Sequence, residues 1–189
     1  MRKILSIIAL FVAAVAMGQV KKLYLQASNL QWEAKKVVGA GHKGTLTFSS
    51  GEFTYKNNEL VGGSFVVDMN TLTVTDEDMD AKGKAKLEGH LKSDDFFAVK
   101  KFPTATLKLK TVTKTQAGYK AEGDLTIKGI TKPVTVELLR TAAEGFASTV
   151  VINRTQYDIK YGSGSFFSNL GDKAIEDNFT IHTFVMPTF

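Results

Sequence analysis

The amino-acid sequence predicts an all-β domain of about eight antiparallel strands with one short helical excursion. Apolar residues alternate with polar ones in segment after segment, Gly and Asn turns separate these segments, and nothing between the early strands is typical of a crossover helix. At 189 residues, 43% of them hydrophobic, the chain is long enough for one domain with a substantial core. Strands in this number close as a sandwich or as a barrel, and the pattern alone leaves both open.

The first residues are expected to form a cleaved secretory signal peptide. Arg2 and Lys3 precede an apolar run, and small residues follow it just before Gln19. The run is shorter than the roughly 20 apolar residues that a membrane-spanning helix needs. We therefore assign residues 1–18 to the leader and residues 19–189 to a single domain, and we expect a periplasmic or secreted protein.

The charge distribution and the lack of cysteine limit the kinds of partner and covalent cross-link that can be expected. The formal net charge of +5 includes Arg2 and Lys3 of the leader, and the remaining lysines are scattered among acids. This distribution does not favour a nucleic-acid partner. Because the chain has no Cys, it has neither a thiol for a lipid anchor nor a disulfide framework.

The first half of the chain is predicted to be an antiparallel meander. We expect strands over residues 30–35, 45–48, 52–56 and 60–70. Ser49-Ser50-Gly51 is the expected turn of a hairpin, and Asn57-Asn58 is the next turn. In the last of these strands, Phe65, Val67 and Met69 share one face.

A helical excursion is predicted from Asp76 to Lys92, because its first turn is rich in acids that favour the positive end of the helix dipole. It leads into the stretch Leu87–Pro103, where Phe96 and Phe97 stand beside His90 and several charged residues. Such a stretch either plugs a core or closes the mouth of a cavity. In an extended backbone the two adjacent phenylalanines would point to opposite sides.

Strands resume in the second half of the chain. They are expected over residues 105–113, 119–128, 133–140, 146–154 and 178–186. The run Val150–Ile152 suggests burial on both sides of its strand. A Gly/Ser-rich loop over residues 161–168, which carries Phe166 and Phe167, precedes the last strand.

Two short motifs match functional patterns only superficially. The glycines of residues 39–44 have the spacing of a dinucleotide-binding loop, but a strand rather than a helix follows, so they are interpreted as a strand connection. Asp76, Asp78 and Asp80 imitate a calcium loop, whose sixth and twelfth positions are here Ala81 and Leu87 instead of Gly and Glu.

No catalytic, metal or cofactor site is predicted. His42, His90 and His182 lie in three separate segments without metal-ligand spacing, and no hydrolase motif is present. The alternative hypothesis is a small-substrate or metal-dependent enzyme that uses His42, His90, Arg154 and Tyr157.

Several blocks of the sequence resemble one known family. In chain order these blocks are His42-x-Gly44, Gly63–Met69, Leu87–Phe97, Phe102–Thr106, Gly123–Gly129, Asn153–Gly162 and Ala174-Ile175. They resemble the YceI-like family of bacterial secreted lipid-binding proteins. The resemblance covers about residues 30–185, which is nearly all of the chain after the leader.

The resemblance implies an extended lipocalin-like antiparallel β-barrel whose pore holds a polyisoprenoid (quinone-like) or other long-chain amphiphile. It implies a periplasmic lipid-binding protein that sequesters or carries its ligand and is not an enzyme. The implied partner is a hydrophobic small molecule or lipid. Transient contact with a membrane and a homodimer are both compatible with this function.

Alternation along the strands then predicts the pore lining. We expect lipid-binding contacts from Phe65, Val67, Leu107, Leu109, Val136, Ile152 and Ile181, with Phe96, Phe97 and Phe167 near one end. The polar candidates for a head group, or for pairing with one another, are His42, Asp68, His90, Arg154 and Tyr157. A buried Arg154 would need an acceptor such as Asp68.

Overall fold

The computed structural model describes residues 18–189, so the predicted leader lies outside the described residues except for Gly18. In chain order the strands are β1 (Gln19–Lys22), β2 (Asn29–Lys36), β3 (His42–Lys56), β4 (Glu59–Val74), β5 (Thr104–Lys114), β6 (Gly118–Ile127), β7 (Ile130–Arg140), β8 (Phe146–Asn153) and β9 (Ile175–Val185). The helix α1 spans Ala81–Lys92, and 3₁₀ turns span Leu25–Ala27, Arg154–Tyr157 and Gly171–Lys173. Within residues 18–189, none of the helices has the length and apolarity needed to cross a membrane.

The strands form a closed antiparallel barrel. Around it the order is β2, β9, β8, β7, β6, β5, β4 and β3, and pairing of β3 with β2 closes the ring. β1 continues the sheet by pairing with the far half of β3, where Gln19 lies opposite Tyr55. This architecture confirms the predicted fold class, and closure of the ring leaves fewer free sheet edges than an open sheet would expose.

The hairpin predicted at Ser49-Ser50-Gly51 is wrong, because β3 is one long strand. It bends at register shifts between Thr45 and Thr47 and between Phe48 and Ser50. Gly51 is required for close packing rather than for a turn, since a Cβ there would lie 2.9 Å from the Phe65 ring.

The turn at Asn57 and Asn58 is where the sequence places it. Both residues have positive φ, 52° and 62°, in a two-residue link between the paired Lys56 and Glu59. These values are those of a type I′ hairpin, a turn in which Asn is favoured.

Helix α1 begins at Ala81, five residues later than Asp76, the predicted start. Asp80 caps it, accepting a hydrogen bond from a first-turn amide at 2.7 Å. Asp76 is instead buried and accepts hydrogen bonds from the amide of Lys43 at 2.9 Å and from His42 at 2.7 Å. These bonds tie the segment before the helix to β3.

The helix packs against the end of the barrel where β4 finishes. The Val74 amide donates to Oε1 of Glu88 at 2.8 Å, which fixes the helix to the strand. Leu87 and Leu91 of this helix pack against the buried cluster that contains Trp32 and Met69.

The opposite end of the barrel is filled by side chains. Its buried cluster includes Phe53 and Leu60, which are 0% and 2% exposed, together with Phe65, Tyr119 and Phe146. Truncating a side chain as buried as these costs about 3–5 kcal/mol. This end is therefore a packed core, and free volume in the barrel lies nearer the helix.

The contact between β7 and β8 differs from the contacts between the other barrel strands in how few backbone pairs it contains. Their ladder is short, formed by Leu139 opposite Ala147 and by the next pair along. Beyond this ladder, toward the end of the barrel nearer α1, the buried side chains of Tyr157 and Ile159 pack with Ile152 and with apolar residues of β6 and β7. Side-chain packing therefore holds most of this wall together.

β8 buries only one of its faces. Val151 is 62% exposed, while Ile152 is 7% exposed and the half-buried Val150 packs inward. The predicted two-sided burial of Val150–Ile152 is wrong, because the wall of this antiparallel barrel has one face in water.

Candidate functional site

An apolar cavity of about 320 Å³ occupies the barrel between the packed end and helix α1. Small-molecule sites range from about 300 to 1,000 Å³, and an apolar cavity of about 150 Å³ already stays dry and holds benzene. The cavity is therefore large enough for a ligand bigger than a single aromatic ring. Its wall is apolar because alternation in each strand turns one hydrophobic face inward.

Most of the residues predicted to line the pore lie in this wall. They are Phe65, Val67, Phe96, Phe97, Leu107, Val136, Ile152 and Ile181. Leu109 instead belongs to the packed end, because it lies further along β5 than Leu107. Phe167 is 50% exposed in a loop turn, with its amide bonded to the Ser163 carbonyl at 3.0 Å, and it lies outside the wall.

Phe96 and Phe97 both line the cavity, and their ring centroids are 6.1 Å apart. They do not point to opposite sides, as they would in an extended backbone, because their backbone is turned. The Phe96 amide donates to the Ser93 carbonyl and the Phe97 amide to the Leu91 carbonyl, each at 3.1 Å. The segment after α1 thus turns its aromatic pair into the barrel.

The wall also contains residues that the sequence reasoning did not assign to the pore. Among them are Leu30, Trp32, Leu46, Phe48, Met69, Leu72, Val134, Val150 and Phe179. The alternation of Leu30 with Trp32, and of Phe179 with Ile181, is the pattern that could have indicated them.

One end of the cavity reaches the protein surface. Here the exposed Lys35, Lys36 and Glu176 contribute to the wall beside His42 and Arg154. We call this end the mouth. It lies where β2 and β8 finish and β3 and β9 begin.

His90 is the polar group at the mouth with unused hydrogen-bonding capacity. It lies in the last turn of α1 and lines the cavity. Its ring packs edge-on against Phe96 at 5.2 Å and Tyr161 at 4.5 Å. Nε2 is buried and has no hydrogen-bond partner among residues 18–189. A ligand atom at the mouth could therefore bond to it.

Arg154 is buried and its donors are already engaged. Nε and Nη2 donate to the carbonyls of Glu176 at 3.0 Å and Ile175 at 3.1 Å. Nη1 donates to the carbonyls of Ile159 at 2.9 Å and Tyr161 at 2.8 Å. The guanidinium thus holds the loop after β8 against the start of β9.

The predicted pairing of Arg154 with Asp68 is wrong. Asp68 accepts hydrogen bonds from Asn70 at 2.9 and 2.8 Å, within a local turn of β4. The carboxylate near Arg154 is Asp177, at 3.6 Å. Burial lowers the pKa of Arg154 from its ordinary value, and Asp177 acts against that effect.

The other polar candidates lie in different surroundings. His42 contributes to the wall but bonds to Asp76, and Tyr157 is buried outside the wall, where desolvation raises its pKa. His182 bonds to Thr149 at 3.0 Å, away from the other histidines. Across residues 18–189, no group of three His, Asp or Glu side chains converges to hold a metal ion.

Residues 22–185 match the family model described as YceI-like domain. The UPF0312 protein of Yersinia enterocolitica is 35% identical over 94 residues, covering 50% of this chain and 46% of that protein. A UPF0312 protein of Yersinia pestis is 34% identical over 94 residues, with the same coverage. The chain therefore spans about half the length of the curated relatives it matches.

Two solved structures share the fold. BcnA of Burkholderia cenocepacia superposes with a TM-score of 0.65 and 19% identity, covering 86% of this chain and 98% of that one. A polyisoprenoid binding domain from Saccharophagus degradans, implicated in plant cell wall breakdown, superposes with a TM-score of 0.60 and 13% identity, covering 87% of this chain and 95% of that one. At these identities the likeness shows a common architecture.

Proposed function

This chain belongs to the YceI-like domain family, and on that premise we propose that it binds a long-chain hydrophobic molecule of the polyisoprenoid class inside its barrel. The observation that carries the proposal is the apolar cavity of about 320 Å³, open at one end and closed by packed side chains at the other. The Saccharophagus degradans neighbour, a polyisoprenoid binding domain, adds support for the ligand class.

The energetics favour a long chain over a small hydrophobic molecule. Each buried CH₂ group contributes about 0.8 kcal/mol, so an isoprene unit contributes about 3–4 kcal/mol. Association costs about 4–15 kcal/mol in lost freedom of motion. Between about one and five buried units offset this cost, so affinity rises with the length of chain inside the barrel.

The role that follows is sequestration or carriage without covalent chemistry. The donors of Arg154 are used by backbone carbonyls and His42 is bonded to Asp76, so these side chains serve the fold. We place this role in the periplasm or outside the cell, after removal of residues 1–18, because the leader has the layout of a secretory signal.

We also propose that the ligand is exchanged at a lipid surface. Val38, Tyr161, Phe166 and Phe167 are 54%, 47%, 50% and 50% exposed, in two loops beside the mouth. The Lys160 ammonium lies 5.2 Å from the Phe166 ring centre. Aromatic side chains with an adjacent lysine suit the boundary between lipid head groups and acyl chains, where both parts find a favourable environment.

The test uses two adjacent valines of β8. Val150 faces the cavity and Val151 is exposed on the outside, so Val150→Trp obstructs the interior while Val151→Trp adds the same group to the surface. We expect protein from its native host to show a bound lipid in native mass spectrometry, and to bind added geranylgeraniol. Val150→Trp should weaken binding at least about tenfold, roughly 1.4 kcal/mol, and Val151→Trp should not.

Two results would overturn the proposal. One is a wild-type protein that carries no lipid and binds no polyprenol. The other is a correctly folded Val150→Trp variant that binds the polyprenol as tightly as Val151→Trp does. Circular dichroism of both variants establishes that the barrel has folded.

A further inference from the structure

Two hydroxyl side chains lie side by side in the wall of the cavity, which is mainly apolar away from the mouth. Ser148 of β8 and Thr183 of β9 are direct partners in the antiparallel ladder, and both line the cavity. Directly opposed residues have Cβ atoms about 4.5–5.5 Å apart and point to the same face of the sheet. The two hydroxyl groups therefore form one polar patch on the wall.

The Ser148 hydroxyl lacks the partner that burial normally demands. The residue is 6% exposed, and among residues 18–189 its Oγ finds no hydrogen-bond partner. A buried hydroxyl without a partner lowers stability, and Ala at this position would avoid that cost. Within the part of the chain that the structure describes, no hydrogen bond accounts for Ser at this position.

The patch lies deep in the cavity. Ser148 precedes Asn153, the mouth end of β8, by five residues, which is about 16 Å along a strand and roughly 13 Å along the axis of a tilted barrel. Its nearest inward neighbours along β8 are the apolar Phe146 and Val150. The charged members of the wall, such as Lys36 and Arg154, lie at the mouth. A group that reaches the patch is therefore neutral, because a buried charge there would have no counter-ion.

We propose that Ser148 and Thr183 form a deep anchor for a neutral oxygen function, a hydroxyl or a carbonyl, at the buried end of the ligand chain. Each hydroxyl can donate and accept, so the patch serves either function. The proposal rests on the proposed function and deepens it, because it distinguishes an oxygen-ended chain from a plain hydrocarbon end.

The test uses linear carboxylates from dodecanoate to octadecanoate, each with and without a hydroxyl at the end opposite the carboxylate. The carboxylate stays at the mouth, since its charge is costly to bury, so the other end samples the deep wall. At the chain length that reaches the patch, Ser148→Ala should bind the hydroxyl-ended probe about tenfold more weakly, about 1.4 kcal/mol, and the methyl-ended probe unchanged. Thr183→Val should likewise weaken binding of the hydroxyl-ended probe.

Thr149→Ala is the matched control, because it removes a hydroxyl from the outer face of the same strand. It should leave the affinities for both probes unchanged. If no chain length shows a preference that depends on Ser148, the anchor is refuted while the proposed function stands. If neither probe nor any polyprenol binds wild type, the proposed function itself is refuted.

A second measurement needs no ligand. Because the Ser148 hydroxyl has no hydrogen-bond partner among residues 18–189, the ligand-free Ser148→Ala variant should unfold in urea at a midpoint no lower than that of wild type. A clearly lower midpoint would show that a water or backbone group already satisfies the hydroxyl, and it would overturn the proposal.

Discussion

Replacing Arg154 by Met removes the side chain that joins the loop after β8 to the start of β9. Met has similar length and no charge, so the change removes the hydrogen bonds with little loss of volume. Arg154 is 4% exposed, and its four donor contacts end on the carbonyls of Ile159, Tyr161, Ile175 and Glu176. After the substitution these carbonyls must find water or other donors.

The expected loss of unfolding free energy in Arg154→Met follows from two opposing contributions. Hydrogen bonds to a charged group are worth about 1.5–3 kcal/mol each. Four such bonds together would exceed the change in unfolding free energy that a single substitution usually causes. Burial of the guanidinium, which lowers its pKa, is itself unfavourable and is relieved in the variant. Breaking a buried charged contact costs about 3–5 kcal/mol in practice, so we expect a loss of about 4 kcal/mol. With a urea m-value of about 2 kcal/mol/M, the unfolding midpoint falls by about 2 M.

The assay is urea unfolding followed by tryptophan fluorescence, since Trp32 is buried in the barrel wall. Arg140→Met is the control, because Arg140 is exposed and its Nη2 donates to the Tyr119 hydroxyl at 2.7 Å. That variant should lose about 1 kcal/mol or less. If Arg154→Met lowers the midpoint no more than Arg140→Met does, the structural role assigned to Arg154 is wrong.

Three further predictions concern acid stability, the β3–β4 turn and lipid exchange. Burial favours a higher pKa for Asp177, but adjacent serine hydroxyls and a guanidinium hold that pKa below its ordinary value. The contribution of the Asp177 carboxylate to stability is thus present above about pH 4 and is lost as pH falls through the folded-state pKa. On acidification, the urea unfolding midpoint of Asp177→Asn should therefore fall less than that of wild type. Asn58→Val should cost about 1–2 kcal/mol in thermal unfolding because of its positive φ, whereas Asn58→Gly should not. The double variant Phe166→Ser, Phe167→Ser should transfer a polyprenol from vesicles more slowly in a stopped-flow assay, with its equilibrium affinity unchanged. If Val151→Ser slows the transfer equally, the loop that carries Phe166 and Phe167 is not the surface that contacts lipid.

The strands were predictable because their residues carry the information locally. Leu30 and Trp32 alternate with polar neighbours, so one face of β2 can be identified as buried without knowing its partners. The Asn57-Asn58 turn is equally local, since the type I′ turn itself favours Asn. The resemblance to the YceI-like family added the closure of these strands into a barrel, which alternation alone left open.

Features set by distant contacts were not predictable in the same way. Gly51 has the appearance of a turn residue, but it is small because the Phe65 ring crosses it, and the sequence does not show that crossing. The partners of Arg154 are backbone carbonyls, which carry no residue signature, so Asp68 was a reasonable but wrong acceptor. Asp76 bonds to β3, and this long-range contact overrides its preference for a helix start.

The pore was predictable in composition but less so in depth. Alternation identifies which residues of β5 face inward, but it does not show where the cavity ends and the packed core begins. Leu107 and Leu109 have the same orientation, and only the packing of the barrel separates them. Ser148 stands at an inward position in an apolar pattern, which is the indication that could have identified it beforehand.

The short ladder between β7 and β8 gives the barrel an uneven stiffness. Most neighbouring strands are tied by long rows of backbone hydrogen bonds, as between Gly118 and Ile127 of β6 and the facing residues of β7. Between β7 and β8, Tyr157 and Ile159 fill the upper part of the wall, and contacts of this kind can slide without breaking a directional bond. Radial expansion of the barrel is therefore expected to be easiest along this line. A bulkier chain would widen the gap between β7 and β8, and β9 would move with β8 and the Arg154–Tyr157 turn because the β8–β9 ladder and the Arg154 hydrogen bonds join them.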